Sequence, residues 1–181
     1  KRQIKIASLL KYESAGTVEF LFDETTKEFW FLEVNTRLQV EHPVTEEVTG
    51  IDLVREQLKI ANGEPLDFSQ EDIEWFGSSI EVRLYSEDPG NNFLPVTGKL
   101  IAFEPTEDPL VRWDTGVETG SEITPNFDPM LAKIISYGET RVEAANKLAL
   151  ALENSHFGGL KTNRDYLISI LRSDEFLKGN T

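Results

Sequence analysis

Residues 17–23 and 29–35 each place successive side chains on alternate sides, with the two-residue period of a β-strand. A short polar stretch, residues 24–28, separates them and suits a loop. The pattern predicts an antiparallel hairpin. Its second strand leads into the segment EVNTRLQVEHP, residues 33–43, where charged and hydrogen-bonding side chains are concentrated.

The register of this hairpin can be predicted from its loop. If the hairpin is centred on Thr26, Glu19 lies opposite Glu33 and Thr17 lies opposite Asn35. Cross-strand side chains are about 5 Å apart, so the two carboxylates repel each other unless something compensates. Mg²⁺ is a natural compensation, because it prefers carboxylate and amide oxygens. The alternative is that both glutamates are solvated residues in another register, since acidic strand faces are common in so acidic a chain.

After Asn35, the alternation predicts an extended segment with Arg37, Gln39 and Glu41 on one side. Arginine offers a planar fork for bicarbonate, a carboxylate or phosphate. Glu41 could accept a proton as a general base. The alternative is a surface ion pair between Arg37 and Glu41, which contributes about 0 to 1 kcal/mol.

Helical spacing of apolar residues predicts one helix within residues 1–11 and a second that opens at Pro43 and breaks at Gly50. A third helix is capped by Asp52. Its apolar face, expected to hold the preceding loop from behind, consists of Val54, Leu58 and Ala61. Residues 64–77 contain a proline, several acids and few periodic apolar residues, so we predict two domains, 1–77 and 78–181.

The second region combines short strands and turns with two helices, which predicts an α+β fold with an antiparallel sheet. The strands are expected at residues 80–85, 99–103, 111–113 and 131–137. Thr140 and Glu143 form a predicted capping box. The buried stripe of the helix that follows is expected to contain Val142, Ala145, Leu148 and Leu152. Asn163 is expected to cap the last helix.

Composition narrows the classes of partner. The 181 residues carry 18 Lys and Arg against 32 Asp and Glu, a formal net charge of -14, which repels phosphate backbones and argues against nucleic-acid binding. The chain has no cysteine, which is compatible with a reducing compartment. No apolar run approaches the roughly 18 residues of a membrane span, and no signal peptide is evident. We expect a cytoplasmic protein without a membrane partner.

Several segments closely resemble the biotin carboxylase component of biotin-dependent carboxylases, which are ATP-grasp enzymes. The similar segments are GTVEF at 16–20, the stretch from FLEVNTRLQVEHP onward at 31–66, SIEVRLYSEDP at 79–89, FDPMLAKII at 127–135 and GLKTNRDYL at 159–167. They look most like the α subunit of acetyl- or propionyl-CoA carboxylases. The resemblance implies the C-terminal part of an ATP-grasp domain, followed by the biotin carboxylase C-terminal domain.

The resemblance also implies roles for individual residues. The metal ligands, which hold the Mg²⁺ (or Mn²⁺) that bridges the ATP phosphates, would be Glu19, Glu33 and Asn35. The groups that bind bicarbonate would be Arg37, Gln39 and the backbone at Val40. Glu41 would remove the proton of bicarbonate, and Arg83 would stabilise the enolate-like form of biotin, the carrier-bound substrate.

The resemblance implies partners as well. An N-terminal domain, a glycine-rich lid and ATP-binding lysines do not precede residue 1, so we expect a C-terminal fragment that is inactive alone. Its partners would be those missing regions, a biotin carboxyl carrier domain and a carboxyltransferase. We also expect a homodimer, with Arg112 at its interface. Two alternatives are a non-catalytic binding or dimerisation module, and another ATP-grasp ligase such as carbamoyl-phosphate synthetase.

Overall fold

The computed structural model describes residues 2–180, with side chains from Ile4 onward. The chain divides into two units between Glu74 and Trp75, close to the boundary predicted after Gly77. Helices and small antiparallel sheets occur together, and the predicted α+β fold class is confirmed. None of the helices within residues 2–180 has the length and apolar character needed to cross a membrane.

Among its described residues, the first unit contains three α-helices, one hairpin and a short 3-10 helix at Gln70–Asp72. The α-helices and strands are α1 (Arg2–Leu10), β1 (Thr17–Phe22), β2 (Phe29–Asn35), α2 (His42–Thr49) and α3 (Leu53–Ala61). The predicted first helix is confirmed from Arg2 onward, whereas Lys1 lies outside the described residues. Gly50 ends α2 with a left-handed φ of 71°, which a glycine adopts without strain.

The hairpin has the predicted register at the end where the acids lie. Glu19 pairs with Glu33, and Thr17 pairs with Asn35. A β-bulge follows immediately, so that Phe20 pairs with Phe31, one position away from the register centred on Thr26. The bulge leaves the acidic pairing unchanged and displaces only the half of the hairpin next to the loop.

Asp52 caps α3 as predicted, since its Oδ1 accepts a hydrogen bond from the Arg55 amide at 2.8 Å. The predicted packing face of α3 is wrong, because Val54 and Leu58 are 42% and 68% exposed. Leu53 and Ile60 are half-buried instead, on the side of the helix that lines a cavity. The sequence of α3 carries two apolar stripes, and helical periodicity alone does not choose between them.

The second unit contains nine strands and three helices among the described residues. The strands are β3 (Ser78–Tyr85), β4 (Glu87–Asp88), β5 (Leu94–Pro95), β6 (Gly98–Lys99), β7 (Ala102–Glu104), β8 (Val111–Thr115), β9 (Glu122–Ile123), β10 (Met130–Gly138) and β11 (His156–Gly158). The helices are α4 (Arg141–Glu153), α5 (Arg164–Leu171) and α6 (Asp174–Lys178). The main sheet is antiparallel with the order β3-β10-β8, and β4-β5, β6-β9 and β7-β11 form separate antiparallel pairs.

The strand predicted at 99–103 is two strands. β6 pairs with β9 and β7 pairs with β11, so the chain changes partner at Leu100 and Ile101. The Leu100 amide donates to the Ser121 carbonyl, and the Ile101 amide donates to the Gly158 carbonyl, both outside the ladders. The prediction failed because partner exchange depends on distant segments that the local pattern does not contain.

The core of the second unit lies between α4 and the main sheet. Leu84, Ile134 and Leu148 are fully buried there. The buried positions of α4 are Ala144, Ala145, Leu148, Ala149, Ala151 and Leu152. Val142, predicted to belong to this stripe, is 45% exposed. Small alanines rather than Val142 fill the contact, because they let the helix approach the sheet closely.

Two predicted caps differ from the structure. Thr140 caps α4, since its Oγ1 accepts from the Glu143 amide at 3.2 Å, but the Glu143 carboxylate accepts from the Glu139 amide. The reciprocal bond of the capping box is therefore made by the amide of Glu139, one residue before Thr140. Asn163 occupies the N-cap of α5, but its side chain makes no capping bond. It is directed to strand β3 instead.

A charge cluster on the main sheet has a consequence for acid stability. Asp114 accepts two bonds from Arg112, at 2.8 and 3.0 Å, and lies 3.4 Å from Lys133. Burial alone would raise the pKa of Asp114, but the bond and charge of Arg112, together with Lys133, outweigh burial and lower that pKa below its ordinary value of 3.8.

Asp114→Asn is expected to destabilise the chain in a pH-dependent way. A lowered folded-state pKa means that the carboxylate stabilises the fold above its unfolded pKa, and that this contribution disappears as the pH falls through the folded pKa. The free energies of unfolding of the wild type and the variant should therefore differ most above pH 3.8 and converge in stronger acid. Urea titrations across this range measure the difference. A difference independent of pH would contradict the assignment.

Candidate functional site

The bulged hairpin brings three predicted metal ligands into contact. The Asn35 amide nitrogen donates to Glu19 Oε1 at 2.6 Å and to Glu33 Oε1 at 3.1 Å. The register explains this convergence, because Glu19 and Glu33 are cross-strand partners and Asn35 follows Glu33 on the same face. One amide therefore holds the two repelling carboxylates together.

These side chains fit a Mg²⁺ ion by chemistry and number. Both glutamates present hard oxygen ligands, and rotating the Asn35 amide would direct its oxygen to where its nitrogen now lies. Mg²⁺ is usually held by one or two carboxylates, with phosphate and water oxygens completing its shell. Among residues 2–180, no group of three or more His, Cys, Asp or Glu side chains is arranged to hold a metal, and the set described here instead combines two carboxylates with an amide.

Gly16 helps to set the position of Asn35. A Cβ on Gly16 would lie 3.1 Å from the Asn35 carbonyl oxygen and 3.1 Å from the hydroxyl of Tyr12. That hydroxyl is fixed by a 2.8 Å bond to the Ala15 carbonyl. A glycine therefore permits the close approach of the two chain segments, a role that the local sequence pattern does not reveal.

The segment after β2 is a bent loop and not the extended segment that we predicted. β2 ends at Asn35, the chain bends at Arg37, and a turn at Val40 and Glu41 leads into α2. The two-residue alternation of a strand therefore does not predict the direction of the Glu41 side chain. It fails because α2 begins at His42, with Pro43 in its first turn, and the chain must turn before that helix begins.

Arg37 and Gln39 nevertheless lie together. Arg37 Nη1 donates to Gln39 Oε1 at 2.7 Å and to the Leu38 carbonyl at 3.3 Å. Gln39 Nε2 in turn donates a long bond, 3.4 Å, to Glu19 Oε1. Gln39 thus connects the guanidinium group to the carboxylate pair of the hairpin.

His42 stabilises this loop. Its Nδ1 lies 2.8 Å from the Gln39 carbonyl, and its Nε2 lies 3.9 Å from Glu46 Oε2. The first contact ties the start of α2 to the loop at Gln39. The imidazole therefore fixes the turn that carries Val40 and Glu41.

A cavity of about 650 Å³ in the first unit is open beside these groups. Arg37, Gln39 and Glu41 line it, together with Gly16 and Thr17 of the hairpin entry and the half-buried side of α3. The volume lies within the range of small-molecule sites. A cation, an amide and a carboxylate thus share one cleft, which suits a small anion that must lose a proton.

Arg83 belongs to the second unit. It lies on β3 opposite Lys133, with its side chain 40% exposed and its Nε 3.9 Å from Glu81 Oε1. Lys133 in turn pairs with Asp114 on β8. Arg83, Lys133 and Asp114 therefore lie side by side across the three strands of the main sheet. The sheet thereby presents Arg83 to solvent from a rigid strand.

Comparison with known sequence families adds a decisive match. The Biotin carboxylase C-terminal domain matches residues 81–181, which is more than half of the chain. The chain belongs to the biotin carboxylase family. Residues 1–69 match the ATP-binding domain of the carbamoyl-phosphate synthase L chain. Because the second unit matches the biotin carboxylase domain, that family is favoured over carbamoyl-phosphate synthetase, and the recognition made from sequence is confirmed.

Individual relatives are similar along nearly all of this chain. Biotin carboxylase 2 of Bacillus subtilis is 48% identical over 98% of the chain, and the human mitochondrial propionyl-CoA carboxylase alpha chain is 46% identical over 99%. The chain spans only 39% and 25% of the lengths of these relatives.

A solved structure has the same fold. It is the biotin carboxylase domain dimer of Hydrogenobacter thermophilus 2-oxoglutarate carboxylase, in complex with MgADP, ADP and bicarbonate. Its TM-score is 0.94 at 41% identity, covering 98% of this chain and 39% of that one.

Proposed function

We propose that this biotin carboxylase chain supplies the metal-, bicarbonate- and biotin-directed groups of an ATP-dependent ligase that carboxylates biotin on a carrier domain, within an acyl-CoA carboxylase. The observation that carries the proposal is the convergence of Glu19, Glu33 and Asn35 beside a loop that presents Arg37 and Glu41 to a cleft. The MgADP and bicarbonate bound in the Hydrogenobacter relative support the choice of substrates.

The hairpin would bind the metal. Glu19 and Glu33 supply carboxylate oxygens, and Asn35 turns its amide oxygen toward the ion. When bound, Mg²⁺ neutralises phosphate charge while the γ-phosphoryl group of ATP is transferred to bicarbonate. The mutual hydrogen bonds of the three side chains hold them close to one another before the metal arrives.

The loop would bind and activate bicarbonate. Arg37 offers two parallel N–H groups to the anion, while Gln39 orients the guanidinium group and, with the backbone N–H of Val40, adds donors. Glu41 takes the bicarbonate proton, which leaves a stronger oxygen nucleophile for the phosphoryl group. The product, carboxyphosphate, then yields CO₂ and phosphate.

Arg83 would act on biotin. The released phosphate removes the proton from the ureido nitrogen, and negative charge develops on the ureido oxygen. Arg83 stabilises that charge electrostatically while the nitrogen attacks CO₂ to form carboxybiotin. Arginine suits this role because it stays charged at every physiological pH.

The wider assembly follows from the same proposal. The curated relatives are longer than this chain, and the Hydrogenobacter domain is a dimer. We accordingly propose as partners an N-terminal and ATP-binding region, a biotin carboxyl carrier domain, a carboxyltransferase and a second copy. A cytoplasmic location remains a prediction from sequence.

Glu33→Gln is expected to raise the Mg²⁺ concentration needed for half-maximal activity by about 10-fold or more, since an amide replaces a charged ligand. The assay uses a hybrid enzyme, in which this chain replaces the matching 39% of Bacillus subtilis Biotin carboxylase 2. It measures bicarbonate-dependent ATP hydrolysis with free biotin against Mg²⁺.

The matched control is Glu28→Gln, which changes an exposed acid of the same hairpin. It should leave the Mg²⁺ requirement of the hybrid enzyme unchanged. An identical Mg²⁺ titration for Glu33→Gln and wild type would remove the metal assignment. It would leave the assignments of Glu41 and Arg83 to be judged by their own variants.

A further inference from the structure

Strand β3, which carries Arg83, is an edge strand. In the order β3-β10-β8, one side of β3 pairs with β10 and the other has no strand partner in the described part of the chain. Outward backbone groups on such an edge need hydrogen-bond partners, or the strand frays and admits water. The hydrogen bonds made by the outward backbone groups of Arg83 and Tyr85 therefore determine the position of the Arg83 backbone.

Asn163 supplies partners at this edge. Its Oδ1 accepts from the Tyr85 amide at 2.9 Å, and its Nδ2 donates to the Arg83 carbonyl at 3.1 Å. Its own backbone amide donates to the Tyr85 carbonyl at 3.2 Å. One residue thus satisfies three consecutive outward groups of β3, as a neighbouring strand would. Asn163 is only 4% exposed, so these bonds are protected from water.

The segment before Asn163 is shaped to reach β3. Gly159 has a φ of +98°, and a Cβ there would lie 2.5 Å from the Lys99 carbonyl oxygen. Further along, the hydroxyl of the fully buried Ser86 lies 3.5 Å from the Lys161 carbonyl and donates to the Val96 carbonyl at 2.7 Å. The chain before Asn163 therefore packs at Gly159 against the backbone of Lys99 and at Lys161 against Ser86, the residue that follows β3.

We propose that Asn163 is a positioning residue for Arg83, which fixes the outer edge of β3 so that the guanidinium group is held where biotin carboxylation needs it; this inference rests on the role proposed for Arg83. Asn163 acts through the backbone. A displacement of about 1 Å at a reacting group can lower turnover by about 100-fold. A loosened β3 edge would move the whole Arg83 side chain.

Two substitutions of Asn163 test the contributions of its two side-chain hydrogen bonds. Asn163→Ala removes both side-chain bonds. Asn163→Asp has nearly the same shape and keeps an acceptor for the Tyr85 amide, but it places an oxygen against the Arg83 carbonyl. Hydrogen exchange of the Tyr85 amide, followed by NMR on the 181-residue chain, should become faster by about 10-fold or more in Asn163→Ala.

The matched control is Ser155→Ala. Ser155 is also buried, and its hydroxyl forms hydrogen bonds with the backbone. It donates to the Ala151 carbonyl at 2.7 Å and accepts from the Thr106 amide at 2.9 Å. Its loss should destabilise the fold comparably without moving β3. Tyr85 exchange at the wild-type rate in Asn163→Ala, or acceleration as large in Ser155→Ala, would overturn the proposal.

A double-mutant cycle in the hybrid enzyme tests the link to Arg83. Asn163→Ala and Asn163→Asp should lower kcat for biotin carboxylation by about 10- to 100-fold when Arg83 is present, with the KM for ATP unchanged. In an Arg83→Ala background the same changes should have almost no further effect, because residues that act as a unit are not additive.

Three outcomes count against the proposal. Equal fold losses in both backgrounds mean that Asn163 acts independently of Arg83. Unchanged kcat in the Asn163 variants, with activity lost in Arg83→Ala, overturns the positioning role and leaves the proposed function standing. Full activity in Arg83→Ala itself overturns the role of Arg83 and the positioning proposal with it.

Discussion

Glu41→Gln is expected to lower bicarbonate-dependent ATP hydrolysis by the hybrid enzyme by about 10²- to 10⁴-fold, the usual contribution of a general base. The substitution keeps the shape and hydrogen-bonding length of the side chain but removes its capacity to take a proton. Because glutamine has the same length and nearly the same volume as glutamate, the fold of the loop should survive, and the loss should appear in kcat.

The measurement compares the rates of ADP release with and without bicarbonate, for wild type and for Glu41→Gln. Glu28→Gln again serves as control, since it removes one negative charge from the same unit. A Glu41→Gln enzyme with wild-type turnover would show that another group removes the proton of bicarbonate.

Arg83→Ala is expected to lower biotin carboxylation by about 10²- to 10³-fold, the range found when one stabiliser of a developing oxyanion is removed. Its half-exposed position on β3 leaves the guanidinium group accessible to a substrate. Arg83→Lys should restore part of the activity, because it keeps the charge but not the planar fork. Both variants are assayed in the hybrid enzyme with free biotin.

Arg172→Ala is a suitable control in the same unit. Arg172 pairs with Glu153 at 3.1 Å on the helical side, and exposed pairs contribute about 0 to 1 kcal/mol to stability. The change should leave biotin carboxylation intact. If Arg83→Ala and Arg172→Ala behaved alike, the charge of Arg83 would have no special part in the chemistry.

The sequence was sufficient to predict the hairpin and its acidic pairing. A two-residue period and a short loop restrict the register, and they predict the pairing of Glu19 with Glu33 that the structure shows. The bulge at Phe20 was beyond prediction, because it depends on how the aromatic side chains pack. The ring of Phe20 lies 5.5 Å from Phe29 and 6.2 Å from Phe31.

Several of the failures share a physical cause, since they concerned choices made by distant contacts. Val54 and Leu58 fit a helical stripe as well as the buried side of α3 does, and only tertiary packing distinguishes the two. Asn163 stands at a helix start, where asparagine is a common cap, but the edge of β3 offers it better-protected partners. Local patterns contain no information about that edge.

The candidate site likewise has features that the sequence predicts and features that only the structure reveals. Residue chemistry and register predicted that Glu19 lies opposite Glu33 and left two alternatives, a metal pair and a solvated acidic face. The structure brings Glu19, Glu33 and Asn35 together. The roles of Val40 and Arg83 came from the family resemblance, because an exposed arginine on a strand has no distinctive local pattern. The turn at Glu41 required the structure, since strand alternation continued too far.

Transfer of radiolabelled bicarbonate to free biotin by the wild-type hybrid enzyme is the most informative experiment. We predict label in carboxybiotin only when ATP, Mg²⁺ and biotin are all present, with one ADP released for each biotin carboxylated. A folded hybrid that binds Mg-ATP but transfers no label to biotin would contradict the proposal that this chain supplies the carboxylating groups.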